Sequence, residues 1–308
     1  MTELLQLKSK AIVGAGKGPK LLITGGVHGD EFEPIIAINR LKGEVAPDRL
    51  RGRLTLVPIV NEAAYQLESR TASDGLDLAR VCPGRSDGSI TERIAHALST
   101  LIADADYYID LHTGGTKLKL TPVAGYMLHS DRSILEQQRQ MARAFNLPLI
   151  WATTARLDGR SLSVARDEKV PAIYAEWGGA ACCDPQAVTT YVEGCLNVMA
   201  FLGMIERNQP ETIVKYVIED DRDNIGHLQI NYPSPMEGLF EPAAELGRFV
   251  EVNQRIGTIT NIETGQEKSV LAHESGILVC LRTFTHVTEQ DSLATIAAMN
   301  RQKEVDSE

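Results

Sequence analysis

Apolar runs and amphipathic stretches alternate along the first two thirds of the chain. Short apolar runs predict strands at 21–27, 53–60, 107–111, 124–129, 149–154 and 172–175. Apolar residues at helical spacing predict helices at 32–41, 89–104, 133–146 and 162–169, and a last one from 184 to about 205. Strands that alternate with helices imply a mostly parallel or mixed sheet covered on both faces, so we predict an α/β fold.

Two of these helices carry clear start signals. Ser89 and Glu92 have the spacing of a capping box, in which side chain and backbone groups satisfy each other at the helix start. Asp184 precedes Pro185, which is the arrangement of an N-cap followed by proline in the first turn. Both helices are therefore expected to begin at these residues.

The pattern changes after a polar connector near 206–226. Short apolar segments then alternate with Pro and Gly turn residues such as Pro233, Pro235, Gly238 and Gly247. We predict two domains on this basis, a catalytic α/β domain at 1–207 and a small all-β domain at 208–308.

Composition narrows the function. The chain has 308 residues, 43% of them hydrophobic, and a net charge of −10, which argues against sequence-independent binding of nucleic acid or of an anionic membrane. No run of apolar residues is long enough to span a bilayer, and residues 1–10 lack the pattern of a secretory leader, so a cytoplasmic location is expected. The five cysteines contain no Cys-x-x-Cys pair and are expected to be reduced thiols.

Candidate metal ligands stand at the ends of predicted strands. His28 and Glu31 follow an apolar strand and a Gly pair, whereas a second His-x-x-Glu pair, His286 and Glu289, lies in the β-rich tail without a distant partner in view. His112 ends another strand and precedes a Gly-rich turn. A catalytic zinc typically has three protein ligands of the His and Glu types and an open position for water. We therefore predict zinc at His28, Glu31 and His112.

Glu176 is the predicted general base and acid. It follows the apolar run 172–175 and precedes Trp177 and a Gly pair, a place where an unpaired carboxylate rarely lies without a use. Active sites in such sheets lie beyond the carboxyl ends of the strands, so His28, His112 and Glu176 are expected at one rim. One carboxylate can take the proton of a water and return it to a leaving nitrogen.

These residues, in this order, resemble the succinylglutamate desuccinylase/aspartoacylase family of zinc amidohydrolases, which are related to metallocarboxypeptidases. The resemblance spans nearly the whole chain and rests on the segments 25–31 (GGVHGDE), 70–84 (RTASDGLDLARVCPG), 110–115 (DLHTGG), 175–179 (AEWGG) and 276–296. It implies a zinc-carboxypeptidase-like mixed sheet with a small barrel-like β domain attached.

The resemblance also implies roles for arginines. Arg70 would polarise the scissile carbonyl, and Arg80 would hold a substrate carboxylate. Arg156 and Arg160 both lie close to the place of a further substrate-facing arginine, and we choose Arg160. Ala79 stands where the family usually has an asparagine beside the arginine, so one donor for the substrate carboxylate is missing.

The predicted function is a zinc-dependent amidohydrolase, with one zinc per chain, that removes an acyl group from a small N-acylated amino acid or a related amide. A metallocarboxypeptidase that trims a peptide is the alternative, and a metal-free scaffold is a third hypothesis. The tail resembles carrier domains but has 263–266 (ETGQ) instead of a lysine at the hairpin tip. It is therefore expected to shape the pocket mouth or to contact a second copy, which leaves a homo-oligomer open.

Overall fold

A computed structural model describes residues 5–223, 225–228 and 230–299. Two short 3-10 helices, Pro47–Arg49 and Leu78–Arg80, accompany the longer elements. The α-helices are α1 Phe32–Glu44, α2 Glu62–Tyr65, α3 Ile90–Ala103, α4 Arg132–Phe145, α5 Ser161–Asp167 and α6 Pro185–Phe201. The strands are β1 Lys10–Val13, β2 Gly16–Thr24, β3 Arg51–Val57, β4 Tyr107–His112, β5 Leu118–Met127, β6 Leu149–Thr153, β7 Ala172–Gly179, β8 Tyr216–Asp220, β9 Gly238–Pro242, β10 Phe249–Val250, β11 Arg255–Thr260, β12 Glu267–Leu271, β13 Gly276–Arg282, β14 His286–Val287 and β15 Ala294–Ala298.

A mixed sheet of eleven strands forms the centre of the molecule. Its main path runs β1-β3-β2-β4-β7-β5-β13-β10, with β6 on β5, β8 on β6 and β15 on β13. The central strands β3, β2, β4 and β7 are parallel, and β5 runs antiparallel to β7. His112 and Glu176 are register partners on β4 and β7, so the fold places these two side chains on neighbouring strands.

Helices cover both faces of this sheet. One apolar core includes residues of α1, α4 and α6, and a second core on the other face includes residues of α3 and α5. The capping box at Ser89 and Glu92 is present, with the Ser89 N–H donating to Glu92 Oε2 at 2.8 Å. Asp184 accepts the N–H of Gln186 and caps α6. The predicted α/β fold and both helix starts are confirmed.

The C-terminal region is rich in β structure, as predicted. A separate sheet of four strands has the order β12-β11-β9-β14 and packs around buried Phe240, Ile256, Ile259 and Val287. Strand β13 pairs with β5, where Cys280 is the register partner of Leu120. The C-terminal region therefore also extends the central sheet up to the pocket.

Three details differ from the sequence-based prediction. The connector near 206–226 contains strand β8, which pairs in parallel with β6. Glu176 lies inside β7 and not beyond its end, because antiparallel pairing with β5 continues this strand to Gly179. His28 lies in the loop after Thr24, four residues beyond the end of β2. Pairing with a strand distant in the sequence determines where a strand begins and ends. A local sequence pattern carries no information about that pairing.

No helix among the described residues is long and apolar enough to cross a membrane. All five cysteines are free thiols, three of them buried.

Strand β8 is held to α4 and β5 by one carboxylate. Glu219 accepts two hydrogen bonds from the Arg139 guanidinium, at 2.8 and 2.9 Å, and one from the Tyr126 hydroxyl at 2.6 Å. The Arg139 hydrogen bonds hold the pKa of Glu219 below its usual range, although partial burial acts in the opposite direction. The ionised carboxylate therefore contributes to stability.

We expect Glu219→Gln to lower the free energy of unfolding by about 1 kcal/mol at neutral pH, since both groups of the ion pair are partly exposed. An acid whose folded pKa is depressed contributes stability above its unfolded pKa of about 4.3 and loses it as the pH falls through the folded pKa. The difference between the wild type and the variant in urea unfolding should therefore shrink below about pH 4.

Glu136→Gln is the matched control, because Glu136 is an exposed carboxylate 3.7 Å from the same guanidinium. It should change stability by less than about 0.5 kcal/mol. Equal losses in the two variants, or a loss in Glu219→Gln that persists in acid, would contradict the assignment.

Candidate active site

The loop between β2 and α1 carries the first two site residues. Gly29 lies against the backbone of α2, and a Cβ placed there would be 2.1 Å from the carbonyl carbon of Ala64. Gly26 has a φ of +60°, which favours glycine, and helps to turn the chain at the strand end. The loop thus brings His28 inward and places Glu31 at the N-cap of α1.

His28, Glu31 and His112 converge on one point. His28 Nδ1 lies 2.6 Å from Glu31 Oε1, and His112 Nδ1 lies 3.0 Å from Glu31 Oε2. One ligand atom from each of the three residues can be chosen so that all lie within 4.8 Å of one another. Glu31 is 1% exposed and also accepts the N–H of Thr113 at 3.2 Å. This cluster is able to hold a metal ion.

Carboxylates hold the outer nitrogens of both imidazoles. His28 Nε2 lies 3.2 Å from Asp77 Oδ1, and His112 Nε2 lies 3.0 Å from Asp110 Oδ2. Metal-ligating histidines usually donate their second ring N–H to such a group, which fixes the ring orientation. Sequence reasoning assigned no role to these two aspartates, although both lie inside the motifs that carry the family resemblance.

Asp110 is fully buried and has further partners. It accepts hydrogen bonds from the hydroxyls of Thr24, at 2.7 Å, and Ser161. These bonds and His112 hold the pKa of Asp110 below its usual range even though burial raises it. Asp110 is therefore an ionised group that fixes the His112 ring.

The two glutamates of the site have opposite electrostatic environments. Burial alone would raise the pKa of Glu31, but the charges of His28 and His112 lower it below its usual range. Burial raises the pKa of Glu176 to about 7, with the Glu31 carboxylate acting in the same direction and the imidazoles against it. A carboxylate with such a pKa is suited to accept and return a proton near neutral pH.

Three arginines reach the same pocket. Arg70 donates through Nε and Nη2 to Asp77 Oδ2 at 3.1 and 2.9 Å, and its Nη1 lies 3.9 Å from Glu31 Oε1. Arg80 and Arg160 are both partly buried, and the charge of Arg80 acts on Arg160. Burial, followed by the Arg80 charge, lowers the pKa of Arg160 to about 10.

Contacts between two backbone segments explain why Arg80 and Arg160 are close. The N–H of Cys82 donates to the carbonyl of Gly159 at 3.0 Å. Gly159 has a φ of +81°, and a Cβ on it would lie 2.5 Å from the carbonyl oxygen of Arg80. Arg156, the other candidate from the sequence, lies on the surface and pairs with Asp223 at 2.6 Å.

All seven predicted site residues line one pocket, whose empty volume, including the part open to solvent, is about 910 Å³. Its remaining walls are mainly apolar, a feature that the sequence pattern did not indicate, and they come from both parts of the chain. The apolar wall includes Leu120, Val123, Met127, Trp151, Leu162, Leu228 and Val279. The other His-x-x-Glu pair lies elsewhere, since His286 is exposed and contacts Glu237 at 3.5 Å.

Comparison with known proteins agrees with this geometry. Residues 17–202 match the model of the succinylglutamate desuccinylase/aspartoacylase catalytic domain. The chain is 31% identical over 296 residues to an N-alpha-acetyl-L-2,4-diaminobutyric acid deacetylase of Halomonas elongata, covering 93% of this chain and 84% of the relative.

Solved structures show the same fold. A succinylglutamate desuccinylase/aspartoacylase from Rhodobacter sphaeroides superposes with a TM-score of 0.83 at 28% identity, covering 94% of this chain and 88% of the other. The product-bound Ectoine utilization protein EutE (DoeB) from Ruegeria pomeroyi gives a TM-score of 0.84 at 26% identity, with the same coverages of 94% and 88%.

The fold and the comparisons together define a hydrolase of the amide-cleaving type with a mixed α/β fold. The chain belongs to the succinylglutamate desuccinylase/aspartoacylase family. It is an enzyme that hydrolyses amide bonds, and the predicted family, fold and class of activity are confirmed.

The close approach at Gly29 leads to a stability prediction. Gly29→Ala must push the α2 backbone away, and we expect it to lower the free energy of unfolding by about 2 kcal/mol. Gly43→Ala is the control, because Gly43 is an exposed helical residue with no atom within 4 Å of the added Cβ. It should leave stability unchanged or raise it by up to about 1 kcal/mol. Urea unfolding measures both, and equal effects would contradict the described packing.

Proposed function

We propose that this enzyme is a zinc-dependent amidohydrolase that removes an acyl group from an N-acyl amino acid or a closely related small amide, with one zinc ion per chain. The observation that carries the proposal is the buried cluster of His28, Glu31 and His112 with the Glu176 carboxylate beside it. Hydrolysis adds water across the amide, so that the products are a carboxylic acid and a free amine.

The residues present fit a zinc ion. Both imidazoles direct Nδ1 toward the Glu31 carboxylate and have carboxylates at Nε2, which is the arrangement expected of ligating histidines. Two histidines and one glutamate form a recurring ligand set of catalytic zinc sites. When bound, the ion supplies a Lewis acid that acidifies water and polarises a carbonyl.

Glu176 moves the proton in the proposed mechanism. Its carboxylate accepts a proton from the attacking water and then donates it to the nitrogen that leaves. Its pKa of about 7 suits both transfers, since a group that must gain and lose a proton works best near the operating pH. No hydrogen-bond partner is recorded for it among the described residues, so both oxygens are available to water and substrate.

Arg70 is proposed to stabilise the negative charge that develops on the carbonyl oxygen. Asp77 holds the guanidinium through Nε and Nη2, which leaves Nη1 beside the metal cluster. A fixed donor of this kind stabilises a transition state without reorganising during the reaction.

Arg80 and Arg160 are proposed to bind the substrate carboxylate. Burial and the charge of Arg80 lower the pKa of Arg160, and the buried Nε of Arg160 has no partner. Arg80 and Arg160 are partly buried and have no ion pair of their own among the described residues, and two such cations favour an anionic ligand. Arg160 thereby supplies the second donor that Ala79 cannot.

Acetyl removal is the favoured reaction within this class, because the Halomonas elongata relative is a deacetylase of an acetylated amino acid. A peptidase that trims a C-terminal residue is the second candidate, and it would use the same metal cluster. A screen of N-acetyl, N-succinyl and N-formyl amino acids and of unblocked short peptides with the zinc-loaded enzyme, scored by released amine, separates the two candidates. Activity on peptides alone would overturn the proposal.

Glu176→Gln tests the proton transfer. The amide cannot accept the proton of water, so we expect kcat to fall by about 10²–10⁴-fold while zinc stays bound. Metal analysis and turnover are measured on the same preparation. Glu168→Gln, at an exposed position after α5, serves as the control and should keep wild-type turnover. Near-normal turnover in Glu176→Gln would reject the assigned role.

Asp110→Asn tests the metal site independently of activity. The amide keeps the shape but not the charge that holds His112 Nε2, so zinc affinity in competition with a chelator should fall by about 10–100-fold. Asp104→Asn, on the surface at the end of α3, is the control. Wild-type protein should contain about one zinc per chain. Activity that survives complete removal of metal by a chelator would exclude the mechanism.

A further inference from the structure

The pocket has two chemically different sides. One side holds the metal cluster, Glu176 and the arginines. The other is an apolar wall, to which both the catalytic strands and the C-terminal region contribute. Trp151 on β6 and Val279 on β13 lie on this wall and are 2% and 0% exposed, respectively.

The apolar wall adjoins the carboxylate side of the pocket. Leu162 follows Arg160 by two residues, and Leu228 follows Gly226, whose carbonyl accepts a hydrogen bond from Arg160 Nη2 at 3.2 Å. The Tyr174 side chain is an electrostatic neighbour of Arg160, and its hydroxyl donates a hydrogen bond to the carbonyl of Trp151 at 2.8 Å. A substrate carboxylate at Arg160 therefore has apolar side chains around it.

The side chain of an amino acid branches from the carbon next to its carboxylate. With the carboxylate at Arg80 and Arg160, this branch begins beside the apolar residues that adjoin Arg160. Val123 extends the same wall along β5, where it is the register partner of Glu176. The wall is thus placed to contact the side chain of the amino acid.

Two of the carboxylates that line the pocket already have several partners. Asp110 accepts from Thr24, Ser161 and His112, and Glu31 is surrounded by two imidazoles and an N–H group. Of the three carboxylates that line the pocket, only Glu176 is without a recorded partner. Among the described carboxylates that line the pocket, only the proposed base could balance the charge of an ammonium group on the substrate side chain.

The free polar atoms of the walls are donors. Trp151 Nε1 and Arg160 Nε are both buried without a hydrogen-bond partner. Neither atom can accept a hydrogen bond from an ammonium group. An acidic substrate would bring a second carboxylate on its side chain. This group would lack a cation to pair with, because Arg70 is held by Asp77 and the two other arginines are required for the first carboxylate.

We propose that the substrate is an N-acyl amino acid with an uncharged, mainly apolar side chain, which is bound by the wall of Trp151, Leu162, Leu228, Val123 and Val279. This inference rests on the proposed function and names the substrate class of the same site. Such a side chain differs from a cationic one, for example that of 2,4-diaminobutyrate.

The test compares isosteric substrates on the zinc-loaded enzyme. N-acetyl-norvaline and Nα-acetyl-2,4-diaminobutyrate differ only in a terminal methyl or ammonium group, and N-acetyl-aspartate supplies the acidic case. Burial of an ammonium group without a partner is costly, so kcat/KM should be at least about tenfold higher for the norvaline derivative than for either of the other two. A preference for the diaminobutyrate or aspartate derivative would overturn the inference, and hydrolysis of none of them would instead overturn the proposed function.

A charge placed in the wall should shift this preference. Leu228 is only partly buried, and its carbonyl accepts the Ser292 hydroxyl, so Leu228→Glu is expected to fold. The ratio of kcat/KM for the diaminobutyrate derivative to that for the norvaline derivative should rise about tenfold. Leu228→Gln has the same size without the charge and should leave the ratio within about threefold.

Met127→Glu with Met127→Gln repeats the comparison at a second wall position. Thermal unfolding shows whether each variant is folded before its kinetics are compared. Because each ratio is taken within one variant, a general loss of activity does not affect it. An unchanged ratio in both folded glutamate variants would exclude the wall as the side-chain site.

Discussion

A carboxylate buried between two imidazoles is the interaction on which the rest of this structure depends. Glu31 is almost fully buried, and a buried charge is costly unless it is paired and hydrogen-bonded. Its partners come from different parts of the chain, His28 from the loop after β2 and His112 from the end of β4. Asp77 and Asp110 balance the imidazoles on their outer sides. The whole arrangement is stable only as a connected set, which explains why buried polar groups gather at this rim.

Two glutamates a short distance apart thereby acquire different properties. Glu31 is held ionised by the imidazoles, whereas burial and the Glu31 charge raise the pKa of Glu176. Their environments differ because Glu31 forms the centre of the cluster and Glu176 faces the pocket from β7. Such a division suits one carboxylate to ligation and the other to proton transfer. The parallel pairing of β4 with β7 is what keeps the two functions adjacent.

The pocket combines this polar rim with walls from both ends of the chain. Val279 reaches it because β13 pairs with β5, and Leu228 reaches it from the segment after β8. The C-terminal region therefore lines the candidate substrate pocket and also extends the central sheet. Arginines set the charge of one side, and the wall sets the size and polarity of the other. The tail, which has no lysine at its hairpin tip, contributes to the walls of the pocket and so to the proposed selection of substrates.

The sequence by itself determined the α/β pattern, the helix starts at Ser89 and Asp184, and the set of candidate residues, because periodicity, capping and motif spacing are local. It did not show β8, the continuation of β7 through Glu176, or the roles of Asp77 and Asp110. Spacing alone did not separate Arg156 from Arg160, although Arg160 was chosen, and the packing of Gly159 on Arg80 brings Arg160 to the pocket while Arg156 lies on the surface. Strand pairing, burial and side-chain hydrogen bonds join residues that are far apart in the chain, so only the tertiary structure decided them.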